Sequence, residues 1–149
     1  MQLLKKPSVT WAWGIALAAS VIKIDHTLKA LIMGSVGLNQ TAPAWPRVFQ
    51  WHVVKNTGAA WSLFAQQPDL LRVATGLLIA GLVVMAVKQK HLALWLVVGA
   101  ALSNWWDRWQ YHGVIDYVEL TFIHYPIFNL ADAVIVCSAL WLAWTYWRR

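Results

Sequence analysis

The chain alternates between long apolar segments and shorter polar ones. Four apolar segments, with their amphipathic flanks, approach the roughly 17–25 residues that a membrane-spanning helix requires. They predict transmembrane helices at about residues 9–29, 70–87, 91–107 and 127–147. The pattern therefore predicts an all-α membrane protein whose residues 1–149 form a single domain.

The long segment between the first two helices, about residues 31–69, has a different pattern. Its section RVFQWHVVKN, residues 47–56, alternates apolar and polar side chains, which is typical of a β-strand. Pro43, Pro46 and Gly58 are residues that favour turns. We therefore expect a small β-platform and loop on one face of the membrane.

The composition supports a membrane protein. Hydrophobic residues make up 60% of the chain and charged residues 12%, against about a quarter charged in a typical soluble domain, and the mean hydropathy is +0.52. The net charge is +6, but the basic residues form no long run. We expect membrane lipid headgroups rather than nucleic acid as the partner of these charges.

Short basic clusters predict the orientation, because such clusters mark the cytoplasmic side. With four spans, all three clusters fall on one face, which places both termini in the cytoplasm; the clusters are Lys5 with Lys6, Lys88 with Lys90, and Arg148 with Arg149. A second interpretation of the first helix stays open. Its basic start, apolar core and small residues also fit a cleaved signal peptide, with a mature N-terminus near residue 20.

All six acidic residues fall at the opposite, outer face: Asp25 at the end of the first helix, Asp69, Asp107, Asp116, Glu119, and Asp132 in the second turn of the fourth helix. An ionised side chain inside a membrane is costly unless it is paired or functional. Asp132 has no basic residue within four positions, so its charge must be matched from elsewhere in the fold, or it holds a proton.

Two Asn-x-x-Asp pairs are candidate site elements: Asn104 with Asp107 in SNWWDRW, and Asn129 with Asp132 in FNLADAV. Residues three apart on a helix share a face, so each pair would present an amide beside a carboxylate. Such a polar stripe is expected to face the interior of the bundle.

Some of these groups fit a purely structural role. Asp25 with Lys29 forms an i,i+4 pair, and Asp107 adjoins Arg108, so fastening helices together is the favoured interpretation for both sites.

A pair of nearby carboxylates that share one proton can instead activate water. Asp116, in the loop sequence GVIDYVEL, is the candidate partner of Asp132, although spacing alone does not establish the contact. Asn56 could hydrogen-bond a bound chain, but an ordinary turn residue is the favoured interpretation.

Other chemistries have less support. The five histidines are scattered without metal-ligand spacing, and no G-x-S-x-G or glycine-rich phosphate loop occurs. We expect neither a metal nor another cofactor.

Four segments resemble, in the expected order, the signature motifs of signal peptidase II, the bacterial lipoprotein signal peptidase family. They are IDHTLK (24–29), NTGAAWSLF (56–64), SNWWDRWQYHGVIDYVEL (103–120) and FNLADAV (128–134). The resemblance implies an aspartic endopeptidase of the bacterial inner membrane, with its site near the periplasmic face. Its substrate would be a prolipoprotein carrying a diacylglyceryl cysteine, cut on the N-terminal side of that cysteine.

The resemblance also implies roles for individual residues. Asp116 and Asp132 would form the catalytic dyad. The residues that would line, brace or support the site are Asn56, Asn104, Asp107, Arg108, Asn129, Asp25 and Lys29. The β-platform would cover the bound peptide, with Gly58 near a hinge, and we expect the protein to act as a monomer.

The chain departs from the usual motifs at His26, Leu28, Trp61 and Ser103. None belongs to the implied dyad, so these departures bear on substrate preference and helix packing. Two alternatives from other classes remain at this stage: a small proton- or cation-coupled transporter using Asp25, Asp107 and Asp132, and a non-catalytic helical subunit. The apolar inner halves of the helices count against a transporter.

Overall fold

The fold comes from a computed structural model, which describes residues 11–58 and 67–148. The predicted features at Lys5, Lys6, Trp61 and Arg149 lie outside these ranges. The elements in chain order are α1 (Trp11–Val36), β1 (Thr41–Trp45), β2 (Phe49–Asn56), α2 (Pro68–Gln89), α3 (Leu92–Gln110), β3 (Val114–Leu120) and α4 (Leu130–Trp147).

The α3 helix lies at the centre and packs against each of the other three helices. Glycines allow α1 and α3 to approach closely. A Cβ at Gly99 would lie 2.6 Å from the backbone oxygen of Ala18, and a Cβ at Gly14 would lie 2.4 Å from the ring of Trp95. Small residues at such positions let two helices pack closely at their backbones.

Two helices of the described chain, α2 and α4, are long and apolar enough to cross a membrane. Their outward faces carry large exposed apolar side chains; Leu77, for example, is 71% exposed and Leu140 66%. Apolar surface of this extent needs lipid or protein to cover it, and on two helices of spanning length it favours a membrane protein. The prediction that α1 and α3 also span stays a prediction.

The first helix is longer than the sequence pattern predicts. It runs to Val36 instead of ending near residue 29, so Asp25 lies in its interior rather than at its end. The extension forms because Ile32, Met33 and Val36 continue an apolar face that packs against the sheet. The predicted platform correspondingly begins later, at Thr41.

The bounds of α3 and α4 also differ from the prediction. The α3 helix continues to Gln110 instead of ending near residue 107, and α4 begins at Leu130 rather than near residue 127.

The platform is a three-stranded antiparallel sheet in the order β1-β2-β3, and its third strand comes from outside the predicted segment. Val53, Ile115 and Tyr117 are buried against the last turns of α1. Because side chains alternate along a strand, Asp116 faces the opposite side from Ile115 and Tyr117. Packing of the sheet on α1 therefore directs Asp116 away from α1, towards the start of α4.

Candidate active site

The start of α4 explains how a carboxylate fits into an apolar helix. Asp132 lies in the first turn, not the second, and forms a capping box with Asn129. Its backbone N–H donates to Asn129 Oδ1 at 3.0 Å, and its Oδ2 accepts the backbone N–H of Asn129 at 3.1 Å. Asn129 is thus the N-cap rather than a helical neighbour, which corrects the prediction that the two share a helix face.

Two other elements satisfy the remaining free N–H groups at this helix start. The N–H of Leu130 donates to the hydroxyl oxygen of Tyr117 on β3 at 3.1 Å. The N–H of Ala131 donates to Asp25 Oδ1 on α1 at 3.2 Å. Because the first four N–H groups of a helix have no partner within it, these contacts fix α4 relative to both α1 and the sheet.

Asp116 and Asp132 line one cavity of about 230 Å³, which we call the dyad cavity. Each of the four carboxylate oxygens accepts a hydrogen bond. Asp132 Oδ1 accepts from Asn104 Nδ2 at 2.9 Å, in addition to the backbone contact at its Oδ2. Asp116 Oδ1 accepts from Asn129 Nδ2 at 2.7 Å, and Asp116 Oδ2 accepts from Asn56 Nδ2 at 3.1 Å. Asn129 therefore contacts both carboxylates.

The orientation of each asparagine amide is set by a donor on its oxygen side. Asn56 Oδ1 accepts the N–H of Gly58 at 3.0 Å, and Asn104 Oδ1 accepts from Lys29 Nζ at 3.0 Å. An ammonium can only donate, so the atom of Asn104 that faces it must be oxygen. The amide nitrogen of Asn104 must then face Asp132.

Burial and, to a smaller extent, the nearby charge of Asp132 raise the pKa of Asp116 to about 7. The hydrogen bonds from Asn56 and Asn129, together with the charge of Lys29, oppose this shift. A carboxyl with such a pKa gains or loses its proton near neutral pH. The dyad can therefore hold a single proton between its two members.

A second pair of carboxylates lies deeper, in the cluster of Asp25, Lys29 and Asp107, called here the Lys29 cluster. Lys29 Nζ lies 2.6 Å from Asp25 Oδ2 and 2.6 Å from Asp107 Oδ2. Asp25 also accepts from Ser103 Oγ at 2.6 Å, and Asp107 accepts the N–H of Ile115 at 3.4 Å. The cluster joins α1, α3 and β3, as the structural interpretation of the sequence predicts.

Arg108 does not pair with Asp107, although the two residues are adjacent in sequence. Its guanidinium donates to the carbonyl oxygens of Gly58, at 2.9 Å, and Asn104, at 3.3 Å. Asp107 pairs with Lys29 instead. Gly58 is buried and is held through both its N–H and its carbonyl, so these contacts favour a fixed position over a hinge.

All ten predicted site residues thus lie in one connected network. Two further residues were not predicted from the sequence: Tyr117, whose hydroxyl oxygen accepts the N–H of Leu130, and Ser103, which donates to Asp25. A signal for Ser103 was present, since it departs from the family motif beside Asn104. Two other acids are not among the ten. Asp69 pairs with Arg72, whose Nε donates to the carbonyl oxygen of Arg108 at 3.0 Å, and Glu119 pairs with His52.

Comparisons with known proteins identify the family and the fold. The sequence model of the family described as Signal peptidase (SPase) II matches residues 17–148. The lipoprotein signal peptidase of Gloeobacter violaceus is 35% identical over 131 residues, covering 84% of this chain and 75% of that protein. The corresponding protein of Thermosynechococcus vestitus is 35% identical over 147 residues, covering 93% and 90%.

Solved structures show the same fold. Two bacterial membrane enzymes, determined at 2.3 and 1.9 Å resolution by the in meso method, superpose with TM-scores of 0.86 and 0.83. Each is 21% identical, and they cover 95% and 93% of this chain and 91% and 95% of their own. The family match favours a peptidase over the transporter and the non-catalytic subunit. The chain belongs to the signal peptidase II family.

Proposed function

We propose that this protein is an aspartic endopeptidase that removes the signal peptide from diacylglyceryl-modified prolipoproteins, cutting before the lipid-modified cysteine. The names of its relatives support the substrate class. The observation that carries the mechanism is the arrangement of Asp116 and Asp132. Within residues 11–58 and 67–148 no ion pair joins either carboxylate to a cation; amide and backbone N–H groups hold both.

The proposed reaction uses one shared proton. Asp116, with its pKa of about 7, holds this proton at rest, and ionised Asp132 is the general base. Asp132 removes a proton from water while the oxygen of that water attacks the scissile carbonyl, and Asp116 gives its proton to the carbonyl oxygen. Asp132 then protonates the leaving amine as the C–N bond breaks, and Asp116 recovers a proton from the collapsing intermediate. No acyl-enzyme forms.

The three asparagines support this reaction through the dyad. Because Asn129 and Asn56 donate to Asp116, and Asn104 donates to Asp132, their amides fix where each carboxylate oxygen lies. Lys29 is a positioning residue, since its ammonium determines which end of the Asn104 amide faces Asp132. Preorganised donors of this kind avoid reorganisation during the reaction.

The proposal includes the membrane topology. We infer four spans, both termini in the cytoplasm of a bacterial inner membrane, and a site near the periplasmic face. The helix arrangement supports this: Lys88, Lys90 and Arg148 lie at helix ends distant in sequence from the dyad, as the positive-inside rule predicts for a cytoplasmic face. A site at headgroup depth suits a substrate whose acyl chains stay in the bilayer, and we expect the enzyme to act as a monomer.

The direct test is the pair of single substitutions Asp116→Asn and Asp132→Asn, assayed on a lipid-modified prolipoprotein in detergent. We expect each to lower kcat by at least about 100-fold, the usual size of lost general acid–base catalysis. Asp69→Asn is the matched control, because Asp69 is exposed and, among the described residues, forms an ion pair with Arg72 alone. Substantial cleavage by either dyad variant, with thermal unfolding unchanged, would overturn the assignment.

A further inference from the structure

A second cavity adjoins the dyad on the side of the sheet. This sheet cavity has a volume of about 620 Å³ and lies between the end of β2, β3 and the segment 123–127. The two cavities share lining residues, namely Asn56, Asp116, Tyr125, Pro126 and Ile127. Asp116 therefore lies at the junction between them.

The two cavities differ in chemistry. The dyad cavity continues along α4 past Ile135 and Val136, and Val114 and Phe128 add further apolar surface. In the proposed topology α4 spans the bilayer, so this cavity extends from the dyad towards the lipid. The sheet cavity lies on elements outside the helices, and its lining divides between polar side chains, such as Asn56 and Glu119, and apolar ones, such as Leu120 and Ile123.

We propose that the sheet cavity binds the first residues of the mature lipoprotein, those that follow the lipid-modified cysteine. This inference rests on the proposed function. A substrate cut at Asp116 has an apolar part, the signal segment and acyl chains, and a polar part, the mature chain; the two cavities that meet at Asp116 match these two parts. The cavity volume suits a short peptide, since sites for small ligands are about 300–1,000 Å³.

The first experiment maps the two parts of the substrate by photocrosslinking. Asp132→Asn enzyme, which should bind without cutting, is mixed with a lipid-modified peptide carrying a diazirine side chain either two residues after the cysteine or two residues before it. The later probe should label residues 119–127, and the earlier one should label α4 near Ile135. Labelling in the reverse pattern, with wild-type enzyme still cutting both peptides, would overturn the inference. Failure of wild-type cleavage would instead contradict the proposed function.

The second experiment fills the sheet cavity. Wild-type enzyme should cut a substrate with four residues after the cysteine at least about fivefold more efficiently in kcat/KM than one ending in an amide at the cysteine, the size of about one net hydrogen bond. Ile123→Trp should remove this gain. Phe122→Trp is the matched control, because exposed Phe122 adjoins Ile123 but does not line the cavity. An unchanged gain in Ile123→Trp would contradict the proposal.

Discussion

Two pairs of buried carboxylates lie within one network in this protein, and they have opposite surroundings. Asp25 and Asp107 share the ammonium of Lys29 at 2.6 Å each, and the three side chains are 0%, 1% and 4% exposed. Within the described part of the chain, Asp116 and Asp132 form no ion pair and accept hydrogen bonds from amide and backbone N–H groups. A carboxylate that shares a buried cation has a structural role, whereas one surrounded by neutral donors can exchange a proton.

The comparison also shows how the first pair supports the second. Asp25 accepts the N–H of Ala131 at the start of α4, and Asp107 accepts the N–H of Ile115 beside Asp116. The Lys29 cluster thus holds the helix and the strand that carry the dyad. Substitutions in the cluster should lower stability first, and substitutions at the dyad should lower catalysis first.

The largest effect on stability is expected for Lys29→Met. The substitution leaves two buried carboxylates without their cation, which should cost about 3–5 kcal/mol of unfolding free energy. Thermal or denaturant unfolding in detergent measures the loss. Lys23→Met is the matched control, because Lys23 is exposed on the same helix. Equal stabilities of the two variants would show that the cluster does not hold the fold.

Substitutions at the adjacent residues Asn104 and Ser103 distinguish the catalytic role of the dyad from the structural role of the Lys29 cluster. Asn104→Leu removes the N–H that Asp132 accepts and should lower kcat about 10- to 100-fold, the effect of one lost buried hydrogen bond. Ser103→Ala removes the donor to Asp25 and should cost about 1–2 kcal/mol of stability while kcat changes less than about twofold. Steady-state kinetics and unfolding of both variants test this. A comparable fall of kcat in Ser103→Ala would contradict the division of roles.

Removal of metal ions is expected to have the smallest effect. If the two carboxylates activate water themselves, dialysis against a chelator should leave kcat and KM unchanged. The measurement is the cleavage rate of the lipid-modified substrate before and after dialysis. Inhibition that added zinc or another divalent cation reverses would point to a different mechanism.

Hydropathy, basic clusters and four short motifs allow much of this molecule to be predicted from the sequence. The helices and the i,i+4 pair of Asp25 with Lys29 follow from local patterns, because residue type and helical spacing determine them. The full set of ten site residues comes from the resemblance to the family motifs. The sequence also predicts that the Asn and Asp side chains of the helices face the interior of the bundle, since lipid cannot form hydrogen bonds with polar groups.

Other features depend on contacts distant in sequence. The third strand joins the platform from residues 114–120, and α1 continues to Val36 because the sheet covers its apolar face. Asp107 pairs with Lys29 across 78 positions instead of with its neighbour Arg108. No local pattern distinguishes such partners. The sequence of residues 129–132 is compatible with a capping box of Asn129 and Asp132. The apolar residues on both sides of it, however, leave the first residue of the helix undetermined.

The most direct test of the central claim is the titration of Asp116 by NMR of carboxyl-labelled aspartate. We expect its midpoint near pH 7, so the proton is held below this pH and lost above it, and cleavage should decline as the pH rises through the same range. Asp132→Asn should lower the midpoint, because the charge of Asp132 helps to raise it. A midpoint near the ordinary value of 3.8, or one that Asp132→Asn leaves unchanged, would contradict a shared proton.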